Sequence, residues 1–238
     1  MPSRWQSGGN APPHGRTLDT ASAQDHDQTV IVKPNRDRRA ERHEAIRREI
    51  LDAAWDAAHE TSIAGLTLRD IATRVGMQQP SLYSHFASKQ SIYDAMFKQA
   101  WQTYLDDARS AAGGLPAEPR PRLIAMAEHY FDFAVADLPR HQLMDVNVVP
   151  NFQPSEQAYA PAVELYGLMV EELRGIGITA EEDADIFTAI TGGLVNQQLA
   201  NDPGGQRWRR LIPRVISMWA DDLGLPPAKK EPAKEEPE

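Results

Sequence analysis

Apolar residues recur at intervals of three and four positions through nearly the whole middle of this chain, from about residue 36 to residue 223. Ile46, Ile50, Ala53 and Ala57 show the pattern in its first segment. This spacing gathers apolar side chains on one face of an α-helix. Runs of alternating β-branched residues and internal repeats are absent from the sequence, so we predict an all-α protein.

The two ends of the chain differ from the middle in composition. Residues 1–34 are rich in Gly, Pro, Ser, Asp and Gln, and residues 226–238 form a Pro/Lys/Glu tail. Segments of this kind bury too little apolar surface to offset the entropy of ordering. We therefore predict a disordered arm at 1–34 and a disordered tail at 226–238.

Composition excludes several classes of site. The 238 residues include no cysteine, which rules out disulfides and cysteine-based metal or nucleophilic chemistry. No apolar run approaches the ~18 residues of a membrane span, and the first 30 residues lack the apolar core of a signal peptide. We expect a cytoplasmic protein.

The net charge of −9 argues at first against a nucleic-acid partner, but the charge is unevenly distributed. Residues 33–100 carry 11 Lys/Arg against 9 Asp/Glu, whereas residues 101–238 carry 12 against 22. Basic residues cluster around the start of the first helix: Lys33, Arg36, Arg38, Arg39, Arg42, Arg47 and Arg48. This asymmetry is typical of a DNA-binding part on an acidic body, although a solvated helix start explains the cluster equally well.

Two short helices joined by a glycine follow the first helix. Thr67, with Asp70 three residues later, resembles a capping box at the start of the second helix. Gly76 ends that helix, and Pro80 suits the first turn of a third helix over Gln79–His85. This outline predicts a helix-turn-helix, but other three-helix cores share it.

The detailed sequence of residues 67–89 resembles the DNA-binding domain of the TetR family, and the resemblance extends over roughly residues 40–100. Matching positions are Ile50, Ala53, Ala54, Thr67, Ile71, Ala72, Val75, Gly76, Leu82, Tyr83, His85, Phe86 and Lys89. The resemblance implies a helix-turn-helix domain at 35–87, called the head below, and a helical ligand-binding and dimerisation domain at 88–225, called the body. It further implies a homodimer that represses transcription at a (pseudo)palindromic operator and is released by a small effector.

Side-chain chemistry divides the expected DNA contacts into two classes. Exposed polar groups on the third helix reach base edges in the major groove, and the candidates are Gln78, Gln79, Ser81 and Ser84. Groups that bond phosphates fix the register, and the candidates are Thr67, Tyr83, His85 and Lys89. Leu82 and Phe86 are expected to face inward. The alternatives are a solvated turn for the two glutamines, packing for Tyr83 and a surface histidine at His85.

Two positions depart from the family pattern. Ser62 stands where a glycine commonly follows the first helix, and Gly65 is the candidate to supply the turn instead. Gln78 replaces the usual Ser or Thr cap of the third helix, and a glutamine caps a helix less well. These changes leave the start of the third helix open.

The body is divided by prolines and glycines into helices at about 88–112, 121–136, 139–146 and 155–175, a helix capped by Thr179 that runs to 200, and a last helix to 223 that Pro213 either kinks or starts. The last two helices are the candidate dimer interface, as the resemblance also implies. Their apolar faces contain Ile186, Phe187, Ile190, Gly193, Leu194, Trp208, Leu211, Ile212, Val215 and Trp219. The alternative is that these residues fill the core of the single chain.

A pocket for a largely apolar effector is implied by the resemblance. Aromatic, histidine and methionine side chains that are candidates to line it are Trp101, Tyr104, Met126, His129, Tyr130, Phe133, Phe152, Tyr159, Tyr166 and Met169. A stripe of such residues is also typical of ordinary core.

Two other functions remain as alternatives. An all-helical enzyme would need a metal or nucleophile site, and the Asp56–His59 pair has no second Asp/Glu-x-x-His partner in the sequence. We expect no cofactor, no metal and no catalysis. A ligand-independent DNA-binding or architectural protein would share the head but would need no pocket.

Overall fold

The computed structural model describes residues 38–146 and 148–227. The predicted arm at 1–34, which contains Lys33, lies outside these ranges, as do Arg36 and the tail from residue 228 onward. The described residues form helices and loops, without a β-strand among them, which confirms the all-α prediction. In chain order the helices are α1 (Arg38–Thr61), α2 (Leu68–Arg74), α3 (Gln79–Leu82), α4 (Lys89–Ala112), α5 (Pro119–Ala136), α6 (Leu138–Asp145), α7 (Glu156–Gly175), α8 (Glu181–Asn201), a 3-10 turn (Arg209–Leu211) and α9 (Ile212–Asp222).

The turn between α1 and α2 is made differently from the sequence-based expectation. Ser62 itself adopts a left-handed backbone conformation, with φ = 77°. Gly65 is needed for space, because a Cβ there would lie 2.6 Å from the carbonyl oxygen of Thr61. Gly65 therefore does not replace the family glycine, and Ser62 carries the conformational strain of a non-glycine residue at positive φ.

Helix α2 begins and ends as predicted. The Thr67 hydroxyl accepts the N–H of Asp70, and Gly76 follows the helix at φ = 67°. Helix α3 is shorter than predicted and ends at Leu82 instead of His85. Gln78 is its N-cap but makes no capping bond through its side chain, so Pro80 in the first turn is left to preset the backbone.

The starts of two helices in the body, α8 and α9, could be located only from the structure. Thr179 was predicted to cap the eighth helix, but the N-cap residue is Ala180, which has no side chain to accept a bond. Pro213 occupies the first turn of α9, so it begins the last helix and does not kink it.

Two hydrophobic cores fill the described part of the chain. The first joins the helices of the head to the amino-terminal half of α4 and to Phe152, so one core spans the predicted boundary at residues 87 and 88. The second joins α5, α7, α8 and α9 around Leu123, Phe131 and Ile216. None of the helices in residues 38–146 and 148–227 combines the length and the apolar character that a membrane span requires.

Candidate nucleic-acid interface

Residues 78–86, called the recognition segment below, lie on the surface with their apolar side turned inward. Leu82 and Phe86 are buried, as predicted, and anchor the segment in the first core. Tyr83 is 51% exposed, which leaves its hydroxyl free to reach a phosphate. The four predicted base-contacting side chains are all exposed, namely Gln78, Gln79, Ser81 and Ser84.

Not all predicted phosphate contacts are equally available. The Thr67 hydroxyl donates to Asp70 at 2.6 Å, so a phosphate at Thr67 has to replace that carboxylate as acceptor. Lys89 begins α4, and its ammonium lies 5.2 Å from the centre of the Tyr93 ring. Partial burial lowers the pKa of Lys89. Its position on the first turn of α4, at the positive end of the helix dipole, still favours an anion.

Two side chains of α1 hold the end of the recognition segment, and the sequence-based site did not include them. Arg47 donates to the carbonyl oxygen of His85, and its guanidinium lies 4.0 Å from the centre of the Phe86 ring. His43 lies one turn before Arg47, and its Nε2 is 3.3 Å from the carbonyl oxygen of Ser84. The i, i+4 spacing of His43 and Arg47 in the basic cluster was the available sign that they share one helix face.

His85 is only partly accessible. Burial lowers its pKa below the usual 6.5, and the neighbouring His43 and Arg47 lower it further. A phosphate contact through His85 therefore uses a ring that the free protein holds neutral at pH 7.

The ten predicted pocket residues separate into different places in the body. Tyr104, His129, Tyr130 and Phe133 form a cluster, with Tyr104 and Phe133 ring centres 4.5 Å apart. Trp101, Phe152 and Tyr159 instead surround Phe97 near the head. Met126 and Met169 pack on the second core, and Tyr166 is exposed, with its hydroxyl 3.5 Å from Asp185.

A polar group that the sequence reasoning missed lies next to this ring cluster. His141 is buried between Asp145, 3.1 Å from its Nδ1, and Asn196, 3.0 Å from its Nε2. Burial alone lowers the pKa of His141, but the hydrogen bonds to Asp145 and Asn196 and the Asp145 charge outweigh it and raise the pKa. Burial also raises the pKa of Tyr130, as does the charge of Asp145.

A narrow gap, nowhere wide enough for a water molecule, lies between the rings and these polar side chains. Its walls are Tyr130, Phe133, Ala134, Asp137, Arg140, His141, Met144 and Asp145. Only Tyr130 and Phe133 of the ten predicted pocket residues line it. The other wall residues come mainly from α6, whose helical pattern gave no reason to single them out.

The predicted dimer residues divide between core and surface. Four of them are buried in the second core, namely Phe187, Leu194, Ile212 and Trp219. These four therefore fill the core of the single chain, which was the alternative to a dimer contact. Ile186 and Gly193 are exposed, and Ile190, Trp208, Leu211 and Val215 are half-buried. Met218 extends the same face of α9 and is 61% exposed.

Comparison with known proteins finds a matching family model and related sequences. Residues 50–96 match the family model described as bacterial regulatory proteins, tetR family. The tetracycline repressor class A from transposon 1721 of Escherichia coli is 32% identical over a 101-residue alignment that covers 30% of this chain and 47% of that protein. The chain thus spans about half the length of this relative.

Two solved structures share the fold. A protein of unknown function from Rhodococcus sp. RHA1 has a TM-score of 0.64 at 20% identity, over 76% of this chain and 95% of that chain. The transcriptional regulator FadR from Bacillus subtilis, in complex with stearoyl-CoA, has a TM-score of 0.54 at 16% identity, over 72% and 96% of the two chains. Residues 50–96 are thus similar to the helix-turn-helix domain of the tetR family of bacterial regulatory proteins, and the all-helical architecture as a whole shares the fold of these two structures.

Proposed function

We propose that this protein is a homodimeric repressor that binds a (pseudo)palindromic operator in the cytoplasm and is released by a small-molecule effector. One observation carries the proposal: the recognition segment exposes a polar edge while its opposite side is anchored in the core. The exposed side chains are Gln78, Gln79, Ser81 and Tyr83, and the anchors are Leu82 and Phe86.

The exposed edge has the chemistry that base and phosphate recognition needs. A glutamine amide bonds adenine through two hydrogen bonds in the major groove, so Gln78 and Gln79 are the proposed base-reading residues. Tyr83 and Lys89 are the proposed phosphate contacts, which fix the depth and angle of the segment. Because Arg47 and His43 hold the carbonyl groups of residues 84 and 85, the segment is presented in one orientation.

A two-fold dimer supplies the second half-site. One four-residue helix reads too few base pairs for useful specificity, and a dimer doubles the number with centres about 34–36 Å apart or a multiple of it. The half-buried and exposed apolar face of α8 and α9 is the proposed interface, centred on Ile190, Val215 and Met218. A face of this kind is incompletely covered within one chain and gains burial from a second copy.

The buried imidazole of His141 on α6 supports an effector site in the body. His141 lies beside the ring cluster and is paired with the more exposed Asp145, and a buried polar group of this kind is costly unless it serves a ligand or a tightly bonded network. The gap beside them is closed to water, so an effector has to displace side chains on entry. FadR shares the fold and was solved with stearoyl-CoA, which supports a small-molecule effector without indicating its class.

The test begins with the genome from which the sequence comes. Footprinting with the purified protein should recover sites with two inverted half-sites, and a compound screen on that operator should find molecules that release the protein. A protein that is monomeric at micromolar concentration and does not bind duplex DNA at low salt would contradict the proposal.

A ligand-independent DNA-binding protein is the second candidate, because the body gap admits no water molecule. In that case the operator is found as before, but the purified body contains no co-purified molecule and no compound releases the DNA. Native mass spectrometry of the full chain distinguishes the two.

A further inference from the structure

Asp137, the residue before α6, connects that helix to the head. Its Oδ1 atom accepts the backbone N–H of Arg140 at 3.0 Å and so caps the start of α6. The same oxygen lies 3.1 Å from Nε2 of His59, which is on α1. The other carboxylate oxygen lies 3.4 Å from the Arg140 guanidinium. One carboxylate therefore joins the first turn of α6 to α1.

Arg140 makes a second contact between α6 and the head. Its guanidinium carbon lies 5.6 Å from the centre of the Trp55 ring on α1 and 5.8 Å from that of Phe133 on α5. Trp55 is buried, and its indole N–H donates to Gln99 of α4 at 2.9 Å. Arg140 thus lies between the ring cluster of the body and a fixed side chain of the head.

Asp137 and Arg140 also line the narrow gap in the body. Because the gap does not admit a water molecule, any molecule that enters it has to push its walls apart. One turn further along α6, His141 is buried and bonded to Asn196 of α8, whereas Asp137 and Arg140 are only half-buried. The wall that yields most readily is therefore the end of α6 that contacts α1.

We infer that Asp137 transmits the occupancy of the body gap to the head. A molecule that enters the gap displaces Asp137 and Arg140, and the contact between Asp137 and His59 is lost. Helix α1 also holds the recognition segment through His43 and Arg47, so its release from α6 changes how that segment is presented.

This role rests on the proposed function, in which an effector releases DNA by favouring a state that binds DNA less well. Asp137 is a positioning residue in it, because Asp137 acts on the recognition segment only through α1. A purely structural Asp137 would affect stability and DNA affinity independently of what fills the gap. The two cases differ in whether substitutions at the gap and at Asp137 are additive.

A side chain can take the place of the unidentified effector. Ala134 is buried on α5 and lines the gap, so Ala134→Leu fills the gap from within the chain. Ala127 is equally buried two turns earlier on α5 but is not part of the gap wall, so Ala127→Leu is the matched control for overpacking. Asp137→Asn keeps an oxygen that caps α6 and removes the charge that faces His59 and Arg140.

The first measurement needs no DNA and follows the ring ¹⁵N resonances of His59 at one fixed pH, assigned with the His59→Gln variant. Ala134→Leu should move these resonances toward their positions in Asp137→Asn, and Ala127→Leu should leave them as in the wild type. In the Asp137→Asn background Ala134→Leu should cause no further shift. If Ala134→Leu does not fold, the smaller change Ala134→Val replaces it. Resonances of His59 that do not respond to filling the gap would overturn the inference.

The second measurement is the affinity for duplex DNA at low salt. Ala134→Leu should weaken binding about tenfold in the wild-type background and less than about twofold in the Asp137→Asn background. Equal weakening in the two backgrounds, or equal weakening by Ala127→Leu, would overturn the role of Asp137. If the wild type does not bind duplex DNA, the proposed function fails, and the His59 resonances alone decide whether the gap and the head are coupled.

Discussion

The imidazole rings of His43 and His85 lie with their centres 4.6 Å apart and their planes inclined by 34°. One ring comes from α1 and the other from the end of the recognition segment, 42 positions later in the sequence. Arg47 completes the contact by donating to the carbonyl oxygen of His85. The segment that is proposed to read DNA is therefore held against α1 by contacts that involve two histidines, His43 and His85, and Arg47.

We expect DNA binding to be linked to protonation of His85. Burial and the neighbouring His43 and Arg47 lower the pKa of His85 in the free protein. A phosphate beside the ring favours its charged form, so binding takes up protons and the affinity rises as the pH falls from 8 to 6. For one proton the limit is about tenfold per pH unit.

The measurement is the Kd for operator DNA across that pH range at constant salt. His85→Gln should flatten the profile, and His129→Gln, which changes a histidine of the body, should leave it unchanged. A His85→Gln profile as steep as that of the wild type would show that a group other than His85 takes up the protons.

His141 should give a pH dependence of stability. The hydrogen bonds to Asp145 and Asn196 raise its pKa above the usual 6.5, although burial opposes the charge. A group whose pKa is raised on folding contributes its stabilisation fully below pH 6.5 and loses it as the pH rises through the folded-state pKa. The difference in free energy of unfolding between wild type and His141→Gln should therefore be larger at pH 5.5 than at pH 8.5. Urea unfolding at the two pH values measures it, and a difference independent of pH would contradict the prediction.

Ser62→Gly should stabilise the protein. Ser62 holds φ = 77°, which costs a residue with a Cβ about 1–2 kcal/mol, whereas glycine adopts this conformation readily. The variant loses the bond from the Gly65 N–H to the Ser62 hydroxyl, so we expect a net gain of about 0.5–1 kcal/mol.

The opposite change provides the control for Ser62→Gly. Gly76→Ala places a Cβ at φ = 67°, where the nearest other atoms are more than 4 Å away, so the backbone conformation alone is tested. It should destabilise the protein by about 1 kcal/mol. Thermal unfolding of both variants compares the two effects, and destabilisation by Ser62→Gly would show that the lost hydroxyl contact dominates.

The turn at Ser62 shows where the sequence suffices and where it does not. The helical spacing and the capping residues predict most helix positions, because those interactions are local. The left-handed conformation of Ser62 was not predictable, because a residue with a Cβ rarely adopts it. The end of α3 was not predictable either, because the carbonyl groups of Ser84 and His85 are held by His43 and Arg47 of α1, which is distant from them in sequence. Four of the ten candidate pocket residues, Tyr104 among them, lie together in the ring cluster. His141 and Arg140 were not among the candidates, because their positions come from packing between α5, α6 and α8.

Three substitutions should separate phosphate contacts from base contacts. Tyr83→Ala and Lys89→Ala each remove one proposed phosphate contact, so they should weaken binding to all duplex sequences; Lys89→Ala also reduces the salt dependence by about one counterion. Gln79→Ala should instead cost about 1–3 kcal/mol at one base pair per half-site and relax the preference there. Binding to an operator and to a scrambled duplex at several salt concentrations distinguishes the two classes. Three variants that bind like the wild type would remove the recognition segment from the interface.

Met218→Asp should dissociate the dimer without unfolding the chain. Met218 is 61% exposed on α9, so the single chain accepts an aspartate there. In the proposed interface the same carboxylate would be buried without a partner, which costs several kcal/mol. Val163→Asp, at a residue 59% exposed on α7, introduces an equal charge outside that face and is the matched control. Light scattering after size-exclusion chromatography should find Met218→Asp monomeric and Val163→Asp dimeric; the reverse result would move the interface from α9 to α7.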